Sequence, residues 1–123
     1  MLEAARIIAF IATADAEAAR RFYEGVLGLP LIEDTPVALV FDVGGTMLRV
    51  QKLGSFTPAA HTVLGWSVEN IAGAVESLNA KGVAFERFDG MGQDELGIWT
   101  SPSGAKVAWF KDPSGNLLSL TQF

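Results

Sequence analysis

The sequence predicts an α+β protein built from two tandem βαβββ modules. Three observations carry the prediction. A strand–helix–strands order recurs in both halves, a glycine closes each helix at a similar place, and two turns of the second half share one Ser-Pro/Asp-Pro chemistry. The modules span about 1–54 and 61–123, joined by the linker "GSFTPAA".

The first strand is "RIIAFIAT", whose β-branched and aromatic residues suit a pleated, buried surface. Asp15 follows as a helix N-cap, its carboxylate able to accept from the free amides of the first turn. In "AEAARRFYEGVLG" Ala18, Phe22 and Val26 recur every four positions beside Ala19 and Tyr23, while Arg20, Arg21 and Glu24 take the wet face. Gly28 fits the left-handed position that ends such a helix. A short apolar start, "LPLIED", and the strands "VALVFDV" and "TMLRVQKL" complete the module, the last two joined by a Gly44–Gly45 hairpin turn.

The second half repeats the order. "HTVLGWSV" is a strand, Asn70 an N-cap, and Ile71, Ala74, Val75 and Leu78 a helical stripe closed by Gly82. "VAFERF", a short "LGIWT", "KVAWFKD" and "NLLSLTQF" supply the rest. In the turns Ser101–Gly104 and Asp112–Gly115 proline presets φ and glycine takes the left-handed position. One helix covers one face of a sheet of three or four strands. The other face must meet its copy, a second chain or a ligand.

Composition narrows the function. Half of the 123 residues are hydrophobic, enough for a sizeable core. The net charge of −5 provides no basic stripe for phosphates, which excludes nucleic acid and is compatible with a cationic ligand. With no cysteine, disulfides and thiolate chemistry are excluded and a reducing compartment is permitted. The N-terminal stretch has an acid at Glu3 and no basic start, unlike a secretory signal. No apolar run reaches the roughly 20 residues that span a bilayer. A cytoplasmic protein without membrane contact is the expectation.

The words "ATADAEAARRFYEGVLGL", "LGWSVENI" and "WFKDPSGNLLSL", in that order over nearly the whole chain, resemble the vicinal oxygen chelate superfamily. Glyoxalase I, extradiol dioxygenases, fosfomycin-resistance proteins and bleomycin-binding proteins are its members. The resemblance implies a glyoxalase/bleomycin-resistance/dioxygenase-like fold with U-shaped, mixed sheets around a cavity. In metal-dependent members His, Glu and sometimes Gln from four strands hold a divalent ion in that cavity. Carried over by the flanking words, the ligand positions fall on Ile8, Val63 and Ser119, and on either Arg49 or Gln51. Isoleucine and valine have no donor atom, a serine hydroxyl is weak, and arginine is a cation. No metal and no cofactor are expected. The only histidine, His61, lies two residues before Val63, on the same side by strand alternation.

The same alternation puts Ile8, Phe10 and Ala12 on the cavity side of the first strand, with Ile7 and Ile11 backing the helix. It puts Arg49 and Gln51 on that side of the fourth strand, and Leu117, Ser119 and Thr121 on that side of the last. Trp66 falls on the helix side as core. Trp99 and Trp109 are either a stacking wall or, respectively, a loop anchor and core. Arg49, inside a sheet face, needs a carboxylate such as Asp42 or Asp94, a ligand anion or water. His61 is either a solvated surface residue or a hydrogen-bonding or basic group. "DGMGQDELG" is a flap over the cavity or a plain surface loop, and it lacks the strand-to-helix setting of a phosphate loop. The ligand-binding set is therefore Phe10, Arg49, Gln51, His61, Trp99, Trp109 and Ser119.

The functional expectation is a metal-independent small-molecule binder, with sequestration of a drug or metabolite as one form. The alternative is a metal-dependent lyase, isomerase or dioxygenase. The resemblance also implies a homodimer, and whether catalysis accompanies binding stays open.

Overall fold

The computed structural model describes all 123 residues, which divide into two compact units, Met1–Pro58 and Ala59–Phe123. The first contains strands β1 (Ile8–Thr13), β2 (Leu31–Asp34), β3 (Ala38–Val43) and β4 (Thr46–Lys52), with helix α1 (Ala16–Arg20) after β1. The second contains β5 (Thr62–Ser67), helix α2 (Ile71–Ala80), β6 (Trp99–Thr100), β7 (Lys106–Lys111) and β8 (Leu117–Gln122).

Both units have one topology. Sheet order is β1-β4-β3-β2 in the first and β5-β8-β7-β6 in the second. The first strand of each lies parallel to the last, and the remaining pairs are antiparallel. The parallel pair requires a crossover, and the helix supplies it. The fold is thus α+β, two βαβββ modules with mixed four-stranded sheets.

Asp15 caps α1 by accepting from the Ala18 amide at 3.1 Å, and the buried Thr13 stitches the preceding turn by bonding to both the amide and the carbonyl of Asp15. A continuous α-helix to Val26 was the expectation. Instead Arg21–Val26 is π-helical, with the Leu27 amide donating to the Phe22 carbonyl five residues back. The wider turn sets Phe22 and Tyr23 side by side, edge to face at 5.1 Å, and both are buried. Tyr23 meets Phe41 of β3 at 6.0 Å between ring centroids. The helix-facing rows Ile11–Val50–Leu39 and Ala9–Leu48–Phe41 complete this core. Each large side chain buried there contributes about 1.5–3 kcal/mol.

Helix α2 has two caps. Asn70 accepts from the Gly73 amide at 3.0 Å, and Gln122 of β8 accepts from the Ile71 amide at 2.9 Å. Trp66 lies on the helix side, stacked on Phe110 at 6.2 Å, with Phe85 against the same ring at 5.3 Å. "VAFERF" does not form a strand. It makes a single bridge, Phe85 to Phe110.

Ile7 does not back the helix. The strand begins one residue later, at Ile8, so alternation does not reach it and it is exposed. The Gly44–Gly45 hairpin forms with φ of 57° and 89°, the signs a type I′ turn requires, and Asp42 accepts from the Gly45 amide at 3.0 Å.

Candidate functional site

Each unit leaves one sheet face free of its own helix, and of the ligand-position residues Ile8, Arg49, Gln51 and Ser119 lie on these two faces.

In the first unit, hydrogen-bond register aligns three rows across β1, β4 and β3: Ile8–Met47–Asp42, Phe10–Arg49–Val40 and Ala12–Gln51–Ala38. This face is apolar yet wet. Ile8 is 45% exposed, Phe10 52% and Met47 41%, where folded proteins rarely leave adjacent large apolar side chains uncovered. At its Ile8–Met47 end a cleft of about 480 Å³ opens, lined by apolar groups with Arg6 and Asp42 as its charged points. That volume is in the range of small-molecule pockets.

Arg49 sits at the centre of β4, half-buried. Neither acid considered from the sequence neutralises it. The Asp42 carboxylate accepts from Gly45, and Asp94 accepts from the amides of Leu96 and Ile98, both at 2.9 Å. The one side-chain hydrogen bond of Arg49 runs from Nη1 to Met47 Sδ at 4.0 Å. Gln51, two residues on, is exposed on the same face.

In the second unit, register aligns Gly65–Ser119–Trp109 and Ser67–Thr121–Val107, with Trp99 opposite Val107. Ser119 is only 8% exposed and its hydroxyl makes no hydrogen bond within the protein. Trp109 is the middle of an aromatic wall. Trp99 stands 6.1 Å from it, tilted by 37°, and Phe88 meets it edge-on at 5.5 Å. Both indoles are half-buried, and the edge-to-face contact fixes the Trp109 ring. Phe88 was missing from the sequence-derived set because its segment reads only as a short apolar start after the helix, whereas it belongs to a loop beside Trp109.

That loop is bound to the body of the unit. Gln93 accepts from the Phe88 amide at 2.7 Å and donates to the carbonyls of Glu86 and Gly97, at 3.0 and 2.8 Å. "DGMGQDELG" is therefore a hydrogen-bonded surface loop rather than a free flap.

His61 lies at an exposed bend before β5, without a hydrogen-bond partner. Between Thr62 and Leu64 the β5–β8 register shifts, so alternation counted back from Gly65 does not fix the side on which His61 falls. Val63 stands inside this irregularity.

The chemistry of the donor set does not fit a divalent metal. Ile8 and Val63 have no donor, Ser119 offers one hydroxyl, and of the two residues on which the β4 position falls Arg49 repels a cation and Gln51 offers a single neutral amide oxygen. No three His, Cys, Asp or Glu side chains of the chain gather closely enough to hold an ion.

The model of the Glyoxalase/Bleomycin resistance protein/Dioxygenase superfamily matches residues 5–120. Comparison with curated proteins finds no match. Among solved structures, a member of that superfamily from Sphaerobacter thermophilus aligns over 100% of both chains, with 22% identity and a TM-score of 0.78. A glyoxalase family protein from Enterococcus faecalis aligns over 98% of this chain and 99% of its own, with 20% identity and a TM-score of 0.78. A lactoylglutathione lyase from Agrobacterium tumefaciens shares 19% identity and a TM-score of 0.73, over 98% of this chain and 95% of its own. At these identities the likeness is one of fold.

Proposed function

This chain belongs to the Glyoxalase/Bleomycin resistance protein/Dioxygenase superfamily, and from that premise we propose that it is a metal-independent small-molecule-binding protein, sequestering a drug or metabolite. The observation that carries this reading is the weakness of the donor set at the metal positions, Ile8, Val63, Ser119 and either Arg49 or Gln51, beside a first-unit face whose Ile8, Phe10 and Met47 stay exposed. The cleft beside Ile8 and the Trp99–Trp109–Phe88 wall are the surfaces that support it.

Binding without a metal must draw on burial of the ligand's apolar area and on a few polar anchors. Aromatic rings bury large areas at small entropic cost. Ser119 and Gln51 supply anchors of the neutral kind. A second copy of the chain belongs to the same reading, since an uncovered apolar face gains from association.

The test is a thermal-shift screen of neutral and charged small molecules, run with and without a strong chelator. The expected result is at least one compound that raises Tm equally in both conditions. Stoichiometric zinc, nickel, iron or manganese in the purified protein, with a Tm that falls on chelation, would overturn the proposal and favour a metal-dependent enzyme. Sedimentation in the same buffer checks the dimer.

A further inference from the structure

We infer that Arg49 is an anion-recognition point, and that the ligand taken on the open face of the first unit is an organic anion: a carboxylate attached to an apolar body. The inference rests on the small-molecule reading above and names the ligand class.

A guanidinium has five N–H donors, no acceptor, and a charge that persists at any physiological pH. Placed half-buried in the middle of a sheet, it ordinarily finds an acid, a ligand anion or water. Arg49 has no acid within ion-pair distance, and its contact with the Met47 thioether leaves most of its donor fork unused. Two acids of the unit with side chains near this sheet are engaged elsewhere. Asp42, one row along the same face, bonds the Gly45 amide, and Asp34 holds Lys52 and Arg20.

The surroundings define the rest of the ligand. Phe10 and Val40 flank Arg49 in register, and Met47 and Val40 both line the cleft. A carboxylate held by two parallel N–H···O bonds at Arg49 would leave its apolar body lying along Phe10 or entering the cleft. Gln51, on the same face, adds an amide donor for a further oxygen. Arg6 at the cleft adds a second positive charge against the single acid Asp42.

Position gives the point its meaning. Arg49 is one of the two residues of β4 onto which the metal-ligand place maps. There the side chain itself presents to a ligand oxygen the positive charge that a metal would otherwise present. The net charge of −5 favours cations at long range; this face selects the opposite sign at contact range.

The experiment is calorimetric titration of the full chain with 4-phenylbutanoate and with its neutral amide, on wild type, Arg49→Met and Arg49→Lys. Wild type should bind the carboxylate about tenfold or more tighter than the amide, the scale of charge-assisted hydrogen bonds. Arg49→Met should lose that preference, and Arg49→Lys should retain part of it, since lysine keeps the charge and loses the fork. Equal binding of the two probes by wild type would overturn the anion assignment while leaving the small-molecule reading standing. So would an undiminished preference in Arg49→Met or, should that variant not fold, full preference in Arg49→Lys. If neither probe binds while a neutral compound from the screen does, the assignment falls alone; if nothing binds, both fall.

Discussion

The hydroxyl of Ser119 fills the space where a side chain on Gly65 would begin. A Cβ on Gly65 would stand 2.6 Å from Ser119 Oγ and 3.3 Å from the Ser119 carbonyl oxygen. The two residues face each other across the β5–β8 pair, so glycine on one strand is what admits a hydroxyl on the other. Gly65→Ala should therefore cost about 1–3 kcal/mol by overpacking. Ser119→Ala alone should cost little, because its hydroxyl bonds nothing in the protein. The double variant should recover a good part of the Gly65→Ala loss, the carbonyl contact keeping the remainder. Urea unfolding of all four proteins measures this coupling, and strict additivity would refute it.

The aromatic wall yields an optical prediction. Trp99 and Trp109 are half-buried beside Phe88, whereas Trp66 is stacked on Phe110 on the helix side. A ligand that stacks on the wall should change indole emission through the first two. Trp66→Phe should retain the ligand-induced change, and Trp109→Ala should lose most of it, together with about tenfold in affinity. A response carried mainly by Trp66 would place the ligand elsewhere.

Much of this fold was legible because its signals are local. Asp15 and Asn70 cap helices through their own side chains, and the Asp-Pro-Ser-Gly turn sets Gly115 at a φ of 89° without help from distant residues. Faces followed from alternation wherever a strand was continuous, so Phe10 and Arg49 share the side opposite the buried Ile11 and Val50. The failures mark where continuity stops. Ile7 lies one residue before its strand, His61 lies beyond a register shift, and Phe88 belongs to a loop whose course is set by Gln93. The π-helical turn at Arg21–Val26 has no composition signal, since the same residues satisfy a four-residue period. Whether Arg49 meets an acid depends on contacts across the sheet, which no single segment encodes.

Asp112 is the chemical centre of the β7–β8 turn. One carboxylate oxygen accepts from the amides of Ser114 and Asn116, at 3.0 and 2.9 Å, and the other from Asn116 Nδ2 at 2.8 Å. Both side chains are buried, so no water replaces a lost partner. Asp112→Asn would point one amide group at another and should cost about 1–3 kcal/mol. Exchanging the pair, Asp112→Asn with Asn116→Asp, restores the side-chain bond with donor and acceptor reversed. It should regain part of the stability, as read from urea midpoints. A double variant no more stable than the single one would show that the charge at position 112 matters, not the bond.

Acid dependence in the first unit should centre on Asp34. The hydrogen bond from Lys52 lowers its carboxyl pKa below the ordinary range, burial works in the opposite direction, and attraction from Lys52 and Arg20 adds to the lowering. Arg20 Nη1 lies 3.2 Å away, so α1 and the ends of β2 and β4 meet at this one carboxylate. A lowered folded pKa means that the folded state prefers the charged acid. The stabilisation is complete above the unfolded value, about 3.9, and is lost as pH falls through the lower folded value. Asp34→Asn should accordingly be less stable than wild type at neutral pH, and the gap should close below about pH 4, where wild type becomes neutral as well. Because the cluster is solvent-accessible, the neutral-pH gap should also shrink in about 1 M salt, where charges are screened within about 3 Å. Thermal unfolding of both proteins across pH measures the gap, and one that stays constant into strong acid would show that the ion pairs carry none of it.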